Sequence, residues 1–203
     1  MVVKVKMSAP IISLADFFEK IKNQDKMQYK KFMQFLMLTY GTSLPCNRFA
    51  FGNCNEYAIR DLIKETGYSV KVLQNATRID IEVENFGKFS IKYSGSGDIK
   101  LHNSNNQANH DMSMCDTLLV TPTVWWFLRP SEIEAKGIIL KDYLKDTGDG
   151  LSLKATILTA LKNKHYPYMF NFDISVNKSN CQHKEINEII YNYIKEQITP
   201  TSP

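Results

Sequence analysis

Apolar residues recur every three or four positions through Leu14, Phe17, Phe18 and Ile21, the spacing of one helix face. Ser13 stands before them as an N-cap, with Asp16 three residues on. A second amphipathic helix is expected over 27–38, stopping at Gly41, with Phe32, Phe35, Leu36 and Met37 as packing residues. Residues 42–53 read as loop. A third helix fits 54–66 and ends at Gly67, which takes a left-handed C-terminal position without strain.

Beyond Gly67 the period changes from that of a helix to that of a strand. Residues 68–73 form one strand, and 78–93 alternate strictly. Ile79, Ile81, Val83, Phe89, Ile91 and Tyr93 fall on one side, while Asp80, Glu82, Glu84, Lys88, Ser90 and Lys92 fall on the other. Asn85, Phe86 and Gly87 supply the turn of a hairpin, Gly87 being free to take a positive φ. With Glu84 facing Lys88 across that turn, Glu82 faces Ser90 and Asp80 faces Lys92.

The rest of the chain continues the mixture. A turn is expected at 94–97, a short strand at 98–103 with Ile99 and Leu101 inward, and a polar loop at 104–111. Two strands follow within 116–128, joined at Thr121 and Pro122, then a short helix that Ser131 can cap. A strand at 136–141, a helix at 153–162, a strand at 168–176 and an amphipathic helix at 183–195 complete the reading. This order predicts an α/β (α+β) domain with a central mixed β-sheet flanked by helices. Residues 1–41 form an N-terminal helical segment for packing or dimerisation, 42–198 the α/β domain, and 199–203, with two prolines, a disordered tail.

Composition narrows this only a little. The 203 residues are 43% hydrophobic and 23% charged, ordinary for a globular protein, and the net charge of +4 permits a polyanionic partner without requiring one. Cys46, Cys54, Cys115 and Cys181 include no CxxC pair and are expected to be reduced, which favours a cytoplasmic setting. They match no common zinc spacing with His183. No segment approaches the roughly 20 apolar residues of a membrane span, and the first residues lack a signal-peptide core.

The charged face of the hairpin carries the candidate chemistry. Acidic groups beside a lysine on adjoining strands suit a magnesium-dependent phosphodiester hydrolase. They also describe an ordinary wet sheet face, on which each cross-strand pair contributes only roughly 0.2–1 kcal/mol. Glu56 on a helix, Asp80 in Arg78-Ile79-Asp80-Ile81-Glu82, and then Ser90-Ile91-Lys92 on the hairpin partner form an ordered set. That set resembles the PD-(D/E)xK (restriction-endonuclease-like) nuclease superfamily over residues 51–133, and its layout is most similar to the type II restriction endonucleases.

The resemblance implies a restriction-endonuclease-like core and Mg²⁺-dependent hydrolysis of phosphodiester bonds in double-stranded DNA, by a homodimer whose two-fold symmetry matches a palindromic site. It implies that Asp80 is a metal ligand and that Glu56 reaches the same site. Lys92 positions or deprotonates a water polarised by Mg²⁺ and offsets developing negative charge. The family pattern, however, has Asp or Glu where Ser90 stands. Glu82 could supply the missing carboxylate, or the motif could instead be Asp98-Ile99-Lys100, with Asp98 and Lys100 in the catalytic roles. The competing reading is a non-catalytic nucleic-acid or protein-binding module on the same fold with an eroded metal site. His102, Asn103, Ser104, Asn105 and Asn106 follow the sheet as candidate DNA contacts, since Asn pairs well with adenine edges. Of Trp125 and Trp126, alternation sends one into the core and leaves the other open.

Overall fold

Three helices precede the sheet. In α1 (Leu14–Asn23), Ser13 Oγ accepts the Asp16 backbone N–H at 3.1 Å, so the expected cap forms, and Leu14, Phe17, Phe18 and Ile21 are all buried. Then come α2 (Met27–Thr39) and α3 (Pro45–Glu65). The last begins well before the expected Cys54. Pro45 in the first turn forfeits no helical hydrogen bond, and the helix carries Gly52 in its interior. The computed structural model describes residues 11–39, 45–73, 78–95, 98–103, 113–148 and 150–175, without the side chains of 38, 39, 45–51, 102 and 103.

The strands are β1 (Val70–Val72), β2 (Ile81–Val83), β3 (Gly87–Tyr93), β4 (Ile99–Asn103), β5 (Thr117–Val120) and β6 (Val124–Leu128). After α4 (Pro130–Ala135) and a 3-10 turn at Leu140–Tyr143 come β7 (Leu144–Asp146), β8 (Gly150–Leu153), α5 (Thr156–Asn163) and β9 (Met169–Asn171). Six strands form a central mixed sheet in the order β1-β2-β3-β5-β6-β9, in which β3 and β5 are parallel and the other pairs antiparallel. A smaller antiparallel sheet has the order β4-β8-β7.

Both faces of the central sheet are covered. Ile81, Val83, Phe89, Ile91, Leu118, Trp125 and Phe127 pack with residues of the three N-terminal helices, among them Phe17, Phe18, Tyr29, Met33, Ile59 and Ile63. Phe17 lies stacked on Phe86, with ring centroids 3.9 Å apart. On the opposite face Leu119, Trp126 and Leu128 meet Ile99, Leu101, Leu151 and Leu153 of the small sheet, with Ile133, Ile157 and Leu161 from α4 and α5. Trp125 and Trp126 are therefore both core, one in each layer, at 0% and 1% exposure. Alternation alone could not show this, because a second covering layer is a tertiary fact.

Several boundaries differ from expectation. α4 starts at Pro130 with Arg129 in the cap position, so Ser131 lies inside the helix rather than before it. Residues 136–141 do not form a strand. Gly137, at φ +73°, leads into an irregular connection that buries Ile138 and Leu140. The helix expected from 153 begins at Thr156, since Leu151 and Leu153 are drawn into β8 by pairing with β4 and β7. The helix at 183–195, the tail and the loop at 104–111 lie outside the described residues. Among the described residues no helix is long and apolar enough to cross a membrane.

Candidate active site

The β2–β3 hairpin sets the site. Its register pairs Ile81 with Phe89, Glu82 with Lys88, and Val83 with Gly87. The turn is Glu84-Asn85-Phe86, with Asn85 at φ +62°, and Gly87 enters the strand at φ +133°. The expected pairing of Glu84 with Lys88 is thus corrected by two residues. A slip of two preserves which face each side chain occupies but changes every partner. Asp80 lies just beyond the end of β2, where its N–H still bonds Phe89 O at 3.1 Å, and it comes opposite Ser90 rather than Lys92.

Asp80 Oδ2 accepts three hydrogen bonds. Ser90 Oγ and the Ile91 backbone N–H each donate at 2.7 Å, and Lys92 Nζ donates at 3.3 Å. Asp80 Oδ1 has no donor among the described residues. The Asp80 and Lys92 side chains are 14% and 24% exposed, so the pair is poorly hydrated yet reachable from solvent. Ser90, at 1% exposure, is buried beneath it.

Glu56 approaches this pair from α3. Burial pushes its carboxyl up to about 7, the Asp80 charge pushes the same way, and Lys92 pulls it down. Glu82 is engaged elsewhere, 3.1 Å from Lys71 and 3.9 Å from Lys88. Among the described residues no three Asp, Glu, His or Cys side chains gather closely enough to hold a metal by themselves. The structure thus brings together Asp80, Ser90, Lys92 and, through its electrostatic coupling, Glu56.

The second candidate register lies in the small sheet. Asp98 is 3.7 Å from Lys145 and accepts the Ala155 N–H at 3.3 Å, while Lys100 donates to Thr147 Oγ1 at 3.0 Å. Neither has a bond to Asp80. Of the candidate DNA contacts, His102 and Asn103 end β4, with side chains outside the described set, and Ser104, Asn105 and Asn106 lie outside the described residues.

Sequence reading missed the support around the cluster. Asp116 O accepts the Ser90 N–H at 2.8 Å, tying the start of β5 to β3. The Asp116 carboxylate is held by Arg129 Nε at 2.8 Å and Nη2 at 2.7 Å, and the guanidinium lies 5.4 Å over the Phe86 ring. A signal existed, because the β5–β6 register that pairs Thr117 with Leu128 also sets Asp116 opposite Arg129. Arg78, at φ +83°, bonds Ser113 O through its guanidinium, and its own carbonyl accepts the Cys115 thiol at 3.2 Å. Burial pushes that thiol up, so it behaves as a neutral packing group.

No family model and no curated protein matches the chain. A solved structure described as a restriction endonuclease in complex with substrate DNA is similar over 90% of this chain and 99% of its own, with a TM-score of 0.55 and 16% identity. The fold is restriction-endonuclease-like. On this restriction-endonuclease-like fold the Asp80 cluster lies where β2 and β3 meet, beside the parallel β3–β5 pair.

Proposed function

We propose that the protein is a Mg²⁺-dependent endonuclease that hydrolyses phosphodiester bonds of double-stranded DNA in the manner of type II restriction endonucleases, acting as a homodimer. The observation that carries this reading is the Asp80–Lys92 pair on a restriction-endonuclease-like fold, 3.3 Å apart and only partly hydrated, with Glu56 coupled to both.

The donor set is all oxygen, which suits a hard cation that binds through one or two carboxylates and keeps several waters. Asp80 Oδ1, which has no hydrogen-bond donor among the described residues, and Glu56 would hold it; Glu82, already engaged by two lysines, is the weaker candidate. When bound, Mg²⁺ would supply Lewis-acid polarisation of the phosphodiester and of an attacking water. Lys92 orients that water and offsets the negative charge that builds on the phosphate. Ser90 and the Ile91 N–H hold the Asp80 carboxylate in one rotamer. His102 and Asn103 at the end of β4, with Ser104, Asn105 and Asn106 after it, contact DNA. A serine at position 90, where the family pattern has a carboxylate, favours the competing reading of a binding module with an eroded site.

Cleavage of supercoiled plasmid in Mg²⁺ and in EDTA tests the choice. Mg²⁺-dependent nicking that disappears in Asp80→Ala and in Lys92→Ala is the expected result, and full activity in both variants overturns it. DNA binding by a wild-type chain that never cleaves would favour the non-catalytic module.

A further inference from the structure

Serine at position 90 does more than omit a ligand. It is buried at 1% exposure, and its hydroxyl donates to Asp80 Oδ2 at 2.7 Å, on the oxygen that the Ile91 N–H and Lys92 Nζ also reach. Three donors on one oxygen, one of them charged, fix the carboxylate and offset part of its charge in a poorly hydrated setting. A carboxylate in place of Ser90 would donate nothing at pH 8 and would set a second anion against the first, which is costly wherever water is scarce.

Resting on the reading of Asp80 as a metal ligand, we propose that Ser90 is a positioning residue that stands in for the cation. Its hydroxyl, with the Ile91 N–H and Lys92, neutralises Asp80 so that the chain stays folded without metal. In consequence the site takes a single divalent ion per chain, and takes it loosely. Two ions roughly 3.5–4 Å apart would need more carboxylate oxygen than Asp80 Oδ1 and Glu56 provide, the pair the cluster offers among the described residues. Donors that stabilise the metal-free carboxylate compete with the ion for its charge, so the serine trades cation affinity for metal-free stability.

The test compares Ser90→Asp with Ser90→Asn, which match in size and differ in charge, using Mn²⁺ as the probe at pH 8. In EDTA, Ser90→Asp is expected to melt below Ser90→Asn and to recover when Mn²⁺ is added. It is expected to bind Mn²⁺ roughly tenfold or more tightly than wild type, as an added carboxylate ligand should. Equilibrium dialysis of wild type is expected to give one Mn²⁺ per chain. Two ions per wild-type chain, or identical melting and Mn²⁺ affinity in the two variants, overturns the proposal. Should neither fold in EDTA, Ser90→Ala adds no volume and carries the test: its Mn²⁺-induced rise in melting temperature exceeds that of wild type, and an equal rise overturns the proposal. Altered Mn²⁺ binding in a protein that never cleaves DNA removes the nuclease reading and leaves this one standing. Cleavage with Mn²⁺ binding unchanged across the variants does the reverse.

Discussion

Ser90 stands opposite Asp80 across the β2–β3 hairpin and gives its hydroxyl hydrogen to Oδ2 at 2.7 Å. Lys92, two residues further along the same strand face, reaches the same oxygen at 3.3 Å. The acid is therefore held mainly by a neutral hydroxyl and a backbone N–H, with the ammonium completing the set. Everything expected of this site follows from that order of contacts.

Lys92→Ala should lower Mg²⁺-dependent plasmid cleavage by roughly 10²–10⁴-fold, the range for loss of a proton-transfer or charge-stabilising group. Asp98→Ala should cleave at the wild-type rate, because Asp98 bonds Lys145 and Ala155 on the other sheet. Its stability should change by no more than about 0.5 kcal/mol, as for most exposed substitutions. Initial rates on supercoiled plasmid check both, and loss of cleavage in Asp98→Ala alone would move the site to the second register.

Glu56 gives the metal-free protein a pH dependence. Its carboxyl is raised from 4.5 to about 7 in the folded chain, so between those values the folded state binds more protons than the unfolded state. The stability that the neutral acid contributes is full below about 4.5 and is lost as pH rises through about 7. Glu56→Gln cannot ionise and should escape that loss. Urea midpoints measured in EDTA should therefore separate from wild type across this window, with the variant more stable at pH 8. Parallel curves for the two proteins would show that Glu56 is well hydrated.

Arg129→Met should destabilise the protein by about 1–3 kcal/mol, since it leaves the half-buried Asp116 carboxylate without its guanidinium and removes the stack over Phe86. Adding Asp116→Asn should recover part of the loss, because the stranded charge is then gone. Urea denaturation of the two single variants and the double variant measures this. Strict additivity would mean that the pair does not interact.

Gly87→Ala should cost about 1 kcal/mol or more, because alanine cannot adopt φ +133° without strain. Nothing lies within 4 Å of an added Cβ, so the cost is conformational rather than steric. The Asp80 cluster hangs on the register this residue allows, so cleavage should fall together with stability. A variant as stable as wild type would contradict the backbone conformation at Gly87.

What the sequence by itself determined was local. Ser13 before an apolar helical face specified the cap of α1, and the alternation from Ile79 to Tyr93 assigned Asp80, Ser90 and Lys92 to one side of the sheet, because a strand has period two in any context. It also identified the mixed α and β character and the break at Thr121 and Pro122. Tertiary structure decided the rest. Hairpin register moved by two residues because Gly87 joined β3 instead of the turn, a change to which side-chain parity is blind. The burial of Trp126 came from the second layer built by β4, β7 and β8 with α4 and α5, and that of Trp125 from the N-terminal helices on the opposite face, which alternation within β6 could not show. Glu56 meets Asp80 and Lys92 only because three-dimensional packing joins a helix and a hairpin that no local pattern connects.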